Sequence, residues 1–229
     1  MQIFFKRLLL ILKWVAIVFF SSTILTVLLY SFINPPVTPL MVERVIEQKF
    51  DGKEARMSKQ WVNIGKISPN MVLAVVSSED NKFTEHFGFD LEAIEKAQEH
   101  NKKSKRKWGA STISQQTAKN VFLWPSRTWI RKGMELYFTS LIEIIWSKKR
   151  IMEVYLNIIE TGDGVYGVEA ASQLYFKKSA LRLNRNEAAL IASILPNPRK
   201  RNPTSPTPYL YGRQSKILGI MNKIGKVDL

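Results

Sequence analysis

A long apolar stretch lies near the start of the chain. From Trp14 to Ile33 no residue is charged, and about twenty such residues are what an α-helix needs to cross the hydrocarbon core of a bilayer. We therefore predict a transmembrane helix over residues 14–33. A buried core helix and a cleaved signal peptide are the alternatives. The stretch is longer than the apolar part of a signal peptide, and NPPVTP follows it where a cleavage site would have small residues.

The charges around this stretch predict its orientation. Lys6, Arg7 and Lys13 are the charged residues among the first 33 positions. The positive-inside tendency places such a short basic N-terminus, residues 1–13, in the cytoplasm and the rest of the chain outside. Three prolines within residues 34–39 cannot continue a helix, so this segment is predicted to be a stiff linker.

Beyond the linker the apolar positions recur mostly with helical spacing. They predict helices over 39–50, 68–78, 90–100, 111–121 and 128–146, whereas the alternation typical of strands is almost absent. Ser68 before Pro69, and Asn184 three residues before Glu187, are helix-start signals, and Pro196 ends the last apolar run. A mostly α domain is expected over 40–205, followed by a basic tail over 206–229. The run NKKSKRK at 101–107 is interpreted as a solvated, flexible loop.

Charge and composition narrow the kind of partner. The formal net charge is +15 and the chain has no cysteine. The charge favours a polyanionic partner, whether nucleic acid, an acidic membrane surface or a phosphate-bearing substrate. The absence of cysteine excludes disulfides and thiolate metal sites. No HExxH motif, histidine pair or EF-hand loop is present, so a metal cage built by the protein is not expected.

The first candidate for chemistry is the acid pair Glu79-Asp80. Two carboxylates at the end of an apolar helix must be solvated, paired or functional. Phe83, His86 and Gly88 follow in the sequence FTEHFG and are expected to form a tight turn over the two carboxylates.

A second polar cluster is GASTISQQTAKN, residues 109–120. Ser111, Gln115 and Lys119 are four residues apart and would share one helix face, suited to a phosphate-bearing ligand; helix capping by Ser111 is the alternative. Further polar residues nearby are Gln116, Asn120, Arg127, Arg131 and Lys132. Glu135 lies one turn beyond Arg131, and an ordinary i,i+4 salt bridge would also explain that pair.

Taken in order, these segments resemble the peptidoglycan glycosyltransferases, glycosyltransferase family 51. Residues 79–88 are similar to the ED..F..H.G signature of that family, residues 109–120 to GGSTITQQ.AKN, and residues 131–135 to RK..E. Two later segments, from Lys148 and from Asn186, are similar to K..ILE.YLN....G...YG...AA and EAA.LA..LPNP. The five segments cover roughly residues 66 to 203. Ala110 departs from the pattern, which has a second glycine there.

The resemblance implies a lysozyme-like, mostly α glycosyltransferase domain that polymerises lipid II into glycan strands with inversion. It implies Glu79 as catalytic base and Glu135 as a second functional acid. It assigns the diphosphate and the sugar path to Lys119, Arg127, Arg131, Lys132, Ser111, Thr112, Gln115, Gln116 and Asn120. Asp80, Phe83 and His86 would support the site. No cofactor is obligatory; a divalent cation such as Mg²⁺ on the substrate diphosphate is compatible with it.

The resemblance also sets expectations about partners and location. Residues 196–229 are too few for a transpeptidase domain, which points to the monofunctional branch. Expected partners are lipid II, the lipid-linked strand, membrane lipids and other proteins of cell-wall synthesis or division, at the bacterial inner membrane. Apolar residues before the first motif would enter the leaflet and receive the lipid, or else form ordinary core: Met41, Val42, Val45, Ile46 and Phe50.

Three alternatives remain beside this hypothesis. A lysozyme-like glycan-cleaving enzyme would share the fold and an essential glutamate, but it has no need of a basic cluster. A membrane-tethered scaffold that binds nucleic acid would explain the charge and leave Glu79 and Glu135 unexplained, so nucleic acid is not an expected partner. An inactive paralogue would not need every motif acid and base to be present.

Overall fold

The computed structural model describes residues 2–104, 107–126 and 128–229. The chain divides into two compact units, one ending at Asn34 and the other running from Pro35 to Leu229.

The first unit is a single long helix, α1, from Gln2 to Phe32. Its stretch Phe4–Phe32 is 29 residues long and contains an 18-residue window with a mean hydropathy of 2.3, which by length and composition fits a membrane anchor. At 1.5 Å per residue such a helix extends about 44 Å, beyond the ~30 Å hydrocarbon core. The helix therefore begins well before the predicted residue 14, because lysine and arginine continue a helix readily and carry their charges towards the interface. Hydroxyls inside it bond to its own backbone, as when Thr23 donates to the Phe19 carbonyl at 2.8 Å.

The second unit begins with the linker and α2, Pro39–Phe50. Thr38 caps this helix by accepting a hydrogen bond from the Met41 amide, and Pro39 occupies the first turn with its backbone angle already suited to a helix. The Lys59 ammonium donates to the carbonyls of Pro35 and Pro36 at 2.5 and 2.9 Å. The predicted helix at 39–50 is confirmed.

The core of this unit is built from helices in two groups. In one, α3 (Pro69–Glu79) packs against α9 (Arg185–Ile194) and α10 (Pro208–Ile224). In the other, α5 (Ile113–Phe122) packs against α6 (Trp129–Ile145) and α7 (Lys148–Ile158). The remaining helices are α4 (Leu91–Lys103) and α8 (Val168–Phe176), with short 3₁₀ turns at Ile64–Lys66 and Ala180–Arg182.

A small sheet completes the domain. Its strands are β1 (Ser58–Lys59), β2 (Glu160–Gly162) and β3 (Val165–Tyr166), in the order β1-β3-β2. β1 runs parallel to β3, and β2 runs antiparallel to it. Gly164 joins β2 to β3 at a φ of 67°, where a Cβ would lie 2.4 Å from the Arg56 carbonyl oxygen. Because these strands are so short, the expectation of a mostly α protein is confirmed.

Most of the predicted helix starts agree with the caps in the structure. Ser68, Asp90 and Thr128 each accept a hydrogen bond from a backbone amide of the helix that follows. Asn184 and Glu187 form a reciprocal capping box, and α9 ends at Ile194, before Pro196. The caps therefore position the helices much as the sequence indicates.

The segment 206–229 is not a tail. Most of it forms α10, which packs on α3 and α9 and buries Leu210, Ile217 and Met221. These apolar residues recur with helical spacing between basic ones, so they form a buried stripe. The predicted domain boundary at 205 is therefore wrong, and the domain continues through α10.

The loop predicted at 101–107 is also shorter than expected. Residues 101–103 belong to α4, because lysines in a last turn favour the negative end of the helix dipole. Asn101 accepts from the Trp108 amide at 2.7 Å and donates to its carbonyl at 3.0 Å, which ties the end of α4 to the next segment. Lys105 and Arg106 lie outside the described residues.

Candidate active site

Glu79 lies at the C-terminal end of α3, whose apolar residues are buried between α9 and α10. Its half-buried carboxylate accepts from Ser78 Oγ at 2.9 Å and from Gln116 Nε2 at 3.1 Å. The Tyr155 hydroxyl donates to Gln116 Oε1 at 3.3 Å. Burial, with smaller contributions from Glu79 and Asp80, raises the pKa of Tyr155. The phenol therefore stays protonated and fixes the amide that orients Glu79.

Asp80 is buried, and both of its carboxylate oxygens contact other groups of the protein. Its oxygens lie 2.9 and 3.1 Å from His86 Nε2, and Oδ2 accepts from the Ile113 amide at 2.9 Å. Phe83 is buried beneath the same turn. The expected turn over the acid pair is present, and it joins the end of α3 to the first turn of α5.

Gly88 allows this turn to lie against α6. Its φ is 81°, and a Cβ there would lie 2.9 Å from Thr139 Cγ2 and 3.0 Å from Glu143 Cγ. The Thr112 hydroxyl donates to the Gly88 carbonyl at 2.7 Å. A side chain at position 88 would therefore push the turn away from α5 and α6.

A partly buried ion pair that the sequence did not predict supports the same turn. Lys148 Nζ donates to Glu143 Oε1 at 2.8 Å and to the His86 carbonyl at 2.7 Å, and it lies 4.7 Å from the centre of the Phe83 ring. Ser114 also donates to Glu143. The available signal was an acid, Glu143, within the apolar run LIEIIW of a predicted helix.

Glu135, the second candidate acid, lies on α6 and is only 3% exposed. It accepts from Arg131 at 3.2 Å and from Lys132 at 2.5 Å, one bond to each oxygen. The i,i+4 salt bridge with Arg131, the alternative explanation for this pair, is present, and Lys132 adds a second cation. Glu135 therefore holds both basic side chains in fixed positions.

Lys119, on α5, faces this cluster. Burial lowers the pKa of Lys119, and Arg131 and Lys132 lower it further, whereas Glu135 and Glu79 act in the opposite direction. A cavity of about 510 Å³ opens beside these cations. Its described lining contains three cations, no acid, and both polar and apolar neighbours: Leu40, Arg44, Lys119, Asn120, Leu123, Trp124, Pro125, Ser126 and Arg131.

The polar segment 109–120 is arranged differently from the prediction. α5 begins after Thr112, which is its cap, so Ser111 is exposed outside the helix and does not share a face with Gln115 and Lys119. Gln115 is buried in a reciprocal capping box with Thr112. The predicted cap at Ser111 is wrong by one residue, because the hydroxyl at 112 has Gln115 three positions later as its partner. Arg127 lies outside the described residues.

Glu79 borders open space. A cavity of about 390 Å³ is lined there by Glu79, Asp80, Asn81, Lys82, Lys96 and Ser111, among others. Lys82 and Lys96 both pair with Glu92 and lower the pKa of this exposed carboxyl to about 2. A substrate hydroxyl can therefore approach Glu79 through this cavity.

The site thus combines a half-buried carboxylate with a cavity lined by cations. A carboxylate within reach of a substrate hydroxyl can accept its proton, and fixed cations stabilise an anionic leaving group. Such a site is suited to a group-transfer enzyme with an anionic leaving group.

Comparison with known proteins identifies the family. The family described as Transglycosylase matches residues 44–222. A biosynthetic peptidoglycan transglycosylase of Bacteroides thetaiotaomicron is 54% identical over 210 residues, which is 92% of this chain and 85% of that protein. Proteins of the same name from Bdellovibrio bacteriovorus and Escherichia coli are 56% identical over 209 residues and 50% over 224. They cover 90% and 97% of this chain, and 84% and 91% of their own lengths. The chain belongs to the transglycosylase family.

Proposed function

We propose that the chain is a peptidoglycan glycosyltransferase that polymerises lipid II into glycan strands during cell-wall synthesis. Each cycle transfers the lipid-diphosphate-linked strand to the 4-hydroxyl of the next lipid II and releases polyprenyl diphosphate. The observation that carries the proposal is that Glu79 borders an open cavity and interacts electrostatically with Lys119, which lines the cavity of cations. The names of the relatives agree with it.

Glu79 is the proposed catalytic base. A sugar hydroxyl is a poor nucleophile near neutral pH, so its proton must be removed as the new bond forms. Gln116 and Ser78 hold the carboxylate of Glu79, and the 390 Å³ cavity leaves room for an incoming hydroxyl. An α-linked diphosphate that gives a β-linked product fits direct displacement with inversion, without a covalent enzyme intermediate.

The basic cluster is proposed to stabilise the leaving diphosphate. Lys119 and Arg131 line the 510 Å³ cavity, and Lys132 is held beside it through Glu135. Arginine can bind two phosphate oxygens with its planar guanidinium, whereas lysine supplies a compact charge. Arg127 completes the proposed set through the family resemblance, and Glu135 positions the cluster.

The other candidate residues are proposed to shape the substrate path. Asn120 lines the cation cavity, and Ser111 and Thr112 line the 390 Å³ cavity that Glu79 borders. Gln115 is placed to hold the start of α5, and Gln116 to orient Glu79. Asp80, Phe83 and His86 support the turn that carries the base.

A metal ion is proposed only as a companion of the substrate. No group of three or more His, Cys, Asp or Glu in the described part of the chain is arranged to hold a metal. Both oxygens of Glu135 bind cationic side chains. A divalent cation such as Mg²⁺ would therefore be bound by the diphosphate of the substrate.

The proposed location is the bacterial inner membrane, with the N-terminus in the cytoplasm and the domain outside. The supporting observations are the apolar helix α1 and the three basic residues near its start. Because the substrate carries a polyprenyl chain, anchoring confines enzyme and substrate to the same surface. Membrane lipids and other proteins of cell-wall synthesis or division are proposed partners.

Polymerisation of purified lipid II by the full chain tests this function. We expect the parent to give ladders of glycan chains and Glu79→Gln to give none while keeping its thermal unfolding midpoint. The matched control is Glu85→Gln, since Glu85 is an exposed acid of the same segment. A parent that makes no polymer, or that shortens preformed glycan, would disprove the proposed function; full activity of Glu79→Gln would disprove only the proposed base.

A further inference from the structure

Arg44, on α2, is a cation of the 510 Å³ cavity that the sequence did not predict. Met41 and Gln48 of the same helix are buried, so of the two alternatives for Met41 the structure shows the core position. Arg44 lies three residues after Met41 and four before Gln48, and residues so spaced share one helix face. Arg44 therefore belongs to the face of α2 that packs on the domain, and its side chain is 22% exposed.

Two acids hold the guanidinium of Arg44. Its Nη1 donates to Glu47 Oε2 at 2.6 Å, and its Nε lies 3.5 Å from Glu160 Oε1 of β2. Both Nε and this Oε1 are buried without a hydrogen-bond partner among the described residues, so the second contact acts through charge. Burial opposes the charge of Arg44, but the two acids together raise its pKa, and the guanidinium stays protonated.

The two acids hold Arg44 from outside the cavity. Arg44 lines the cavity, whereas Glu47 and Glu160 do not. A guanidinium has more N–H donors than one carboxylate uses, and among the described residues only Nη1 of Arg44 makes a hydrogen bond. Donors of Arg44 therefore remain for a ligand in the cavity, and the acids fix the position of the group that carries them.

Arg44 is separate from the cations around Lys119. Besides burial, four charged groups are the main influences on the pKa of Lys119, and Arg44 is not one of them: Glu135, Arg131, Lys132 and Glu79. The cavity therefore has two cationic sites, one at Lys119 with its neighbours and one at Arg44. A single phosphate at Lys119 would leave Arg44 without a ligand, whereas two linked phosphates can contact both.

Glu79 indicates which phosphate each cation would bind. Lys119 interacts electrostatically with Glu79, the proposed base, which acts where the sugar is transferred. The phosphate beside Lys119 would then be the one that leaves the sugar, and its partner would carry the lipid. We propose that Arg44 binds this lipid-side phosphate and thereby makes the cavity select a diphosphate over a single phosphate. This inference rests on the proposed function and adds a specificity-determining residue to it.

Competition with lipid II polymerisation by the full chain in nanodiscs tests the role of Arg44. The probes are inorganic diphosphate and inorganic phosphate at one fixed Mg²⁺ concentration, and the ratio of their inhibition constants does not depend on the active fraction. We expect the parent to prefer diphosphate by about tenfold or more and Arg44→Gln to lose most of this preference, since a charge-assisted hydrogen bond contributes about that factor. Arg44→Lys keeps the charge without the planar fork, so it should retain part of the preference.

The matched control is Arg150→Gln. Arg150 also donates to an acid three residues later, Glu153, at 2.6 Å, but it does not line the cavity. Loss of such a pair should leave the preference of the parent unchanged, and an equal loss in Arg150→Gln would overturn the inference. So would a parent without preference for diphosphate, or Arg44→Gln with the preference of the parent; either result leaves the polymerase intact. A parent that makes no polymer at all would instead remove the proposed function.

Discussion

Glu79 and Asp80 are neighbours in sequence with opposite surroundings. Asp80 is bound to His86 and to the Ile113 amide, so its oxygens hold the turn and the start of α5 together. Glu79 is held by two neutral donors and borders a cavity. Because a base needs a free approach for the hydroxyl it deprotonates, these contacts favour Glu79 over Asp80 for that role.

The state of Lys119 gives a prediction for pH dependence. Burial, Arg131 and Lys132 lower the pKa of Lys119, and a diphosphate binds its charged form. Affinity should therefore fall as the pH rises through that pKa. In Lys119→Arg the charge persists, so we expect the alkaline decline of kcat/KM for lipid II to move to higher pH. Lys216→Arg, at an exposed position of α10, should retain the parent profile, and superimposable profiles for all three proteins would contradict the role of Lys119.

Glu143, which is buried, and Lys148, which is partly buried, show how an ion pair can support the turn beside a candidate site. Lys148 binds a carboxylate, a backbone carbonyl and the face of Phe83 at once. The carboxylate belongs to Glu143 of α6, whereas the carbonyl of His86 and the ring of Phe83 belong to the turn after Asp80. Removal of Lys148 would leave the buried carboxylate of Glu143 without its compensating charge, which costs more than the pair itself contributes. These two residues are thus positioning residues for the turn.

At the scale of the element, α5 assigns different tasks to its two adjacent glutamines. Gln115 is buried and closes the capping box with Thr112, whereas Gln116 bonds to Glu79 and Tyr155. One residue serves the start of the helix, and the next serves the candidate base. Because adjacent residues of a helix project in different directions, Gln115 reaches Thr112 whereas Gln116 reaches Glu79.

This difference predicts opposite phenotypes. Gln115→Ala should lower the free energy of unfolding by about 1 kcal/mol through loss of the cap bond, with a kcat close to that of the parent. Gln116→Ala should keep the thermal unfolding midpoint and reduce kcat by about tenfold or more, because Glu79 loses its orienting donor. Unfolding midpoints and lipid II turnover of both variants decide the matter. A large loss of kcat in Gln115→Ala at unchanged stability would show that Gln115 binds substrate instead.

The elements also show what a sequence can and cannot predict. Caps such as Ser68 and Asn184 are local signals, and the helices they begin were predicted closely. The exact start of α5 was missed because Ser111 and Thr112 are both competent caps, and only the contacts of the folded chain select Thr112. The bonds from Lys148 to His86 and from Tyr155 to Gln116 join distant segments. Such pairs depend on how helices pack, which periodicity does not specify.

At the scale of the whole domain, α10 links the end of the chain to the helix that carries the candidate base. It buries Leu210, Ile217 and Met221 against the group formed by α3 and α9. Ile220 of the same helix lines the cavity beside Glu79. The segment expected to be a tail therefore forms part of the wall of the site.

This role of α10 gives a prediction for stability. Met221 is completely buried, so Met221→Ala should lower the free energy of unfolding by about 2 to 5 kcal/mol through lost burial and the cavity left behind. Lys216→Ala, on the exposed side of the same helix, should change it by less than about 0.5 kcal/mol. Thermal unfolding of the full chain, followed by tryptophan fluorescence, measures both variants. If both variants unfolded at the temperature of the parent, α10 would not be part of the cooperative domain. If only Met221→Ala unfolded at a lower temperature, and it lost polymerase activity at that temperature, α10 would be required to hold α3 and Glu79 in place.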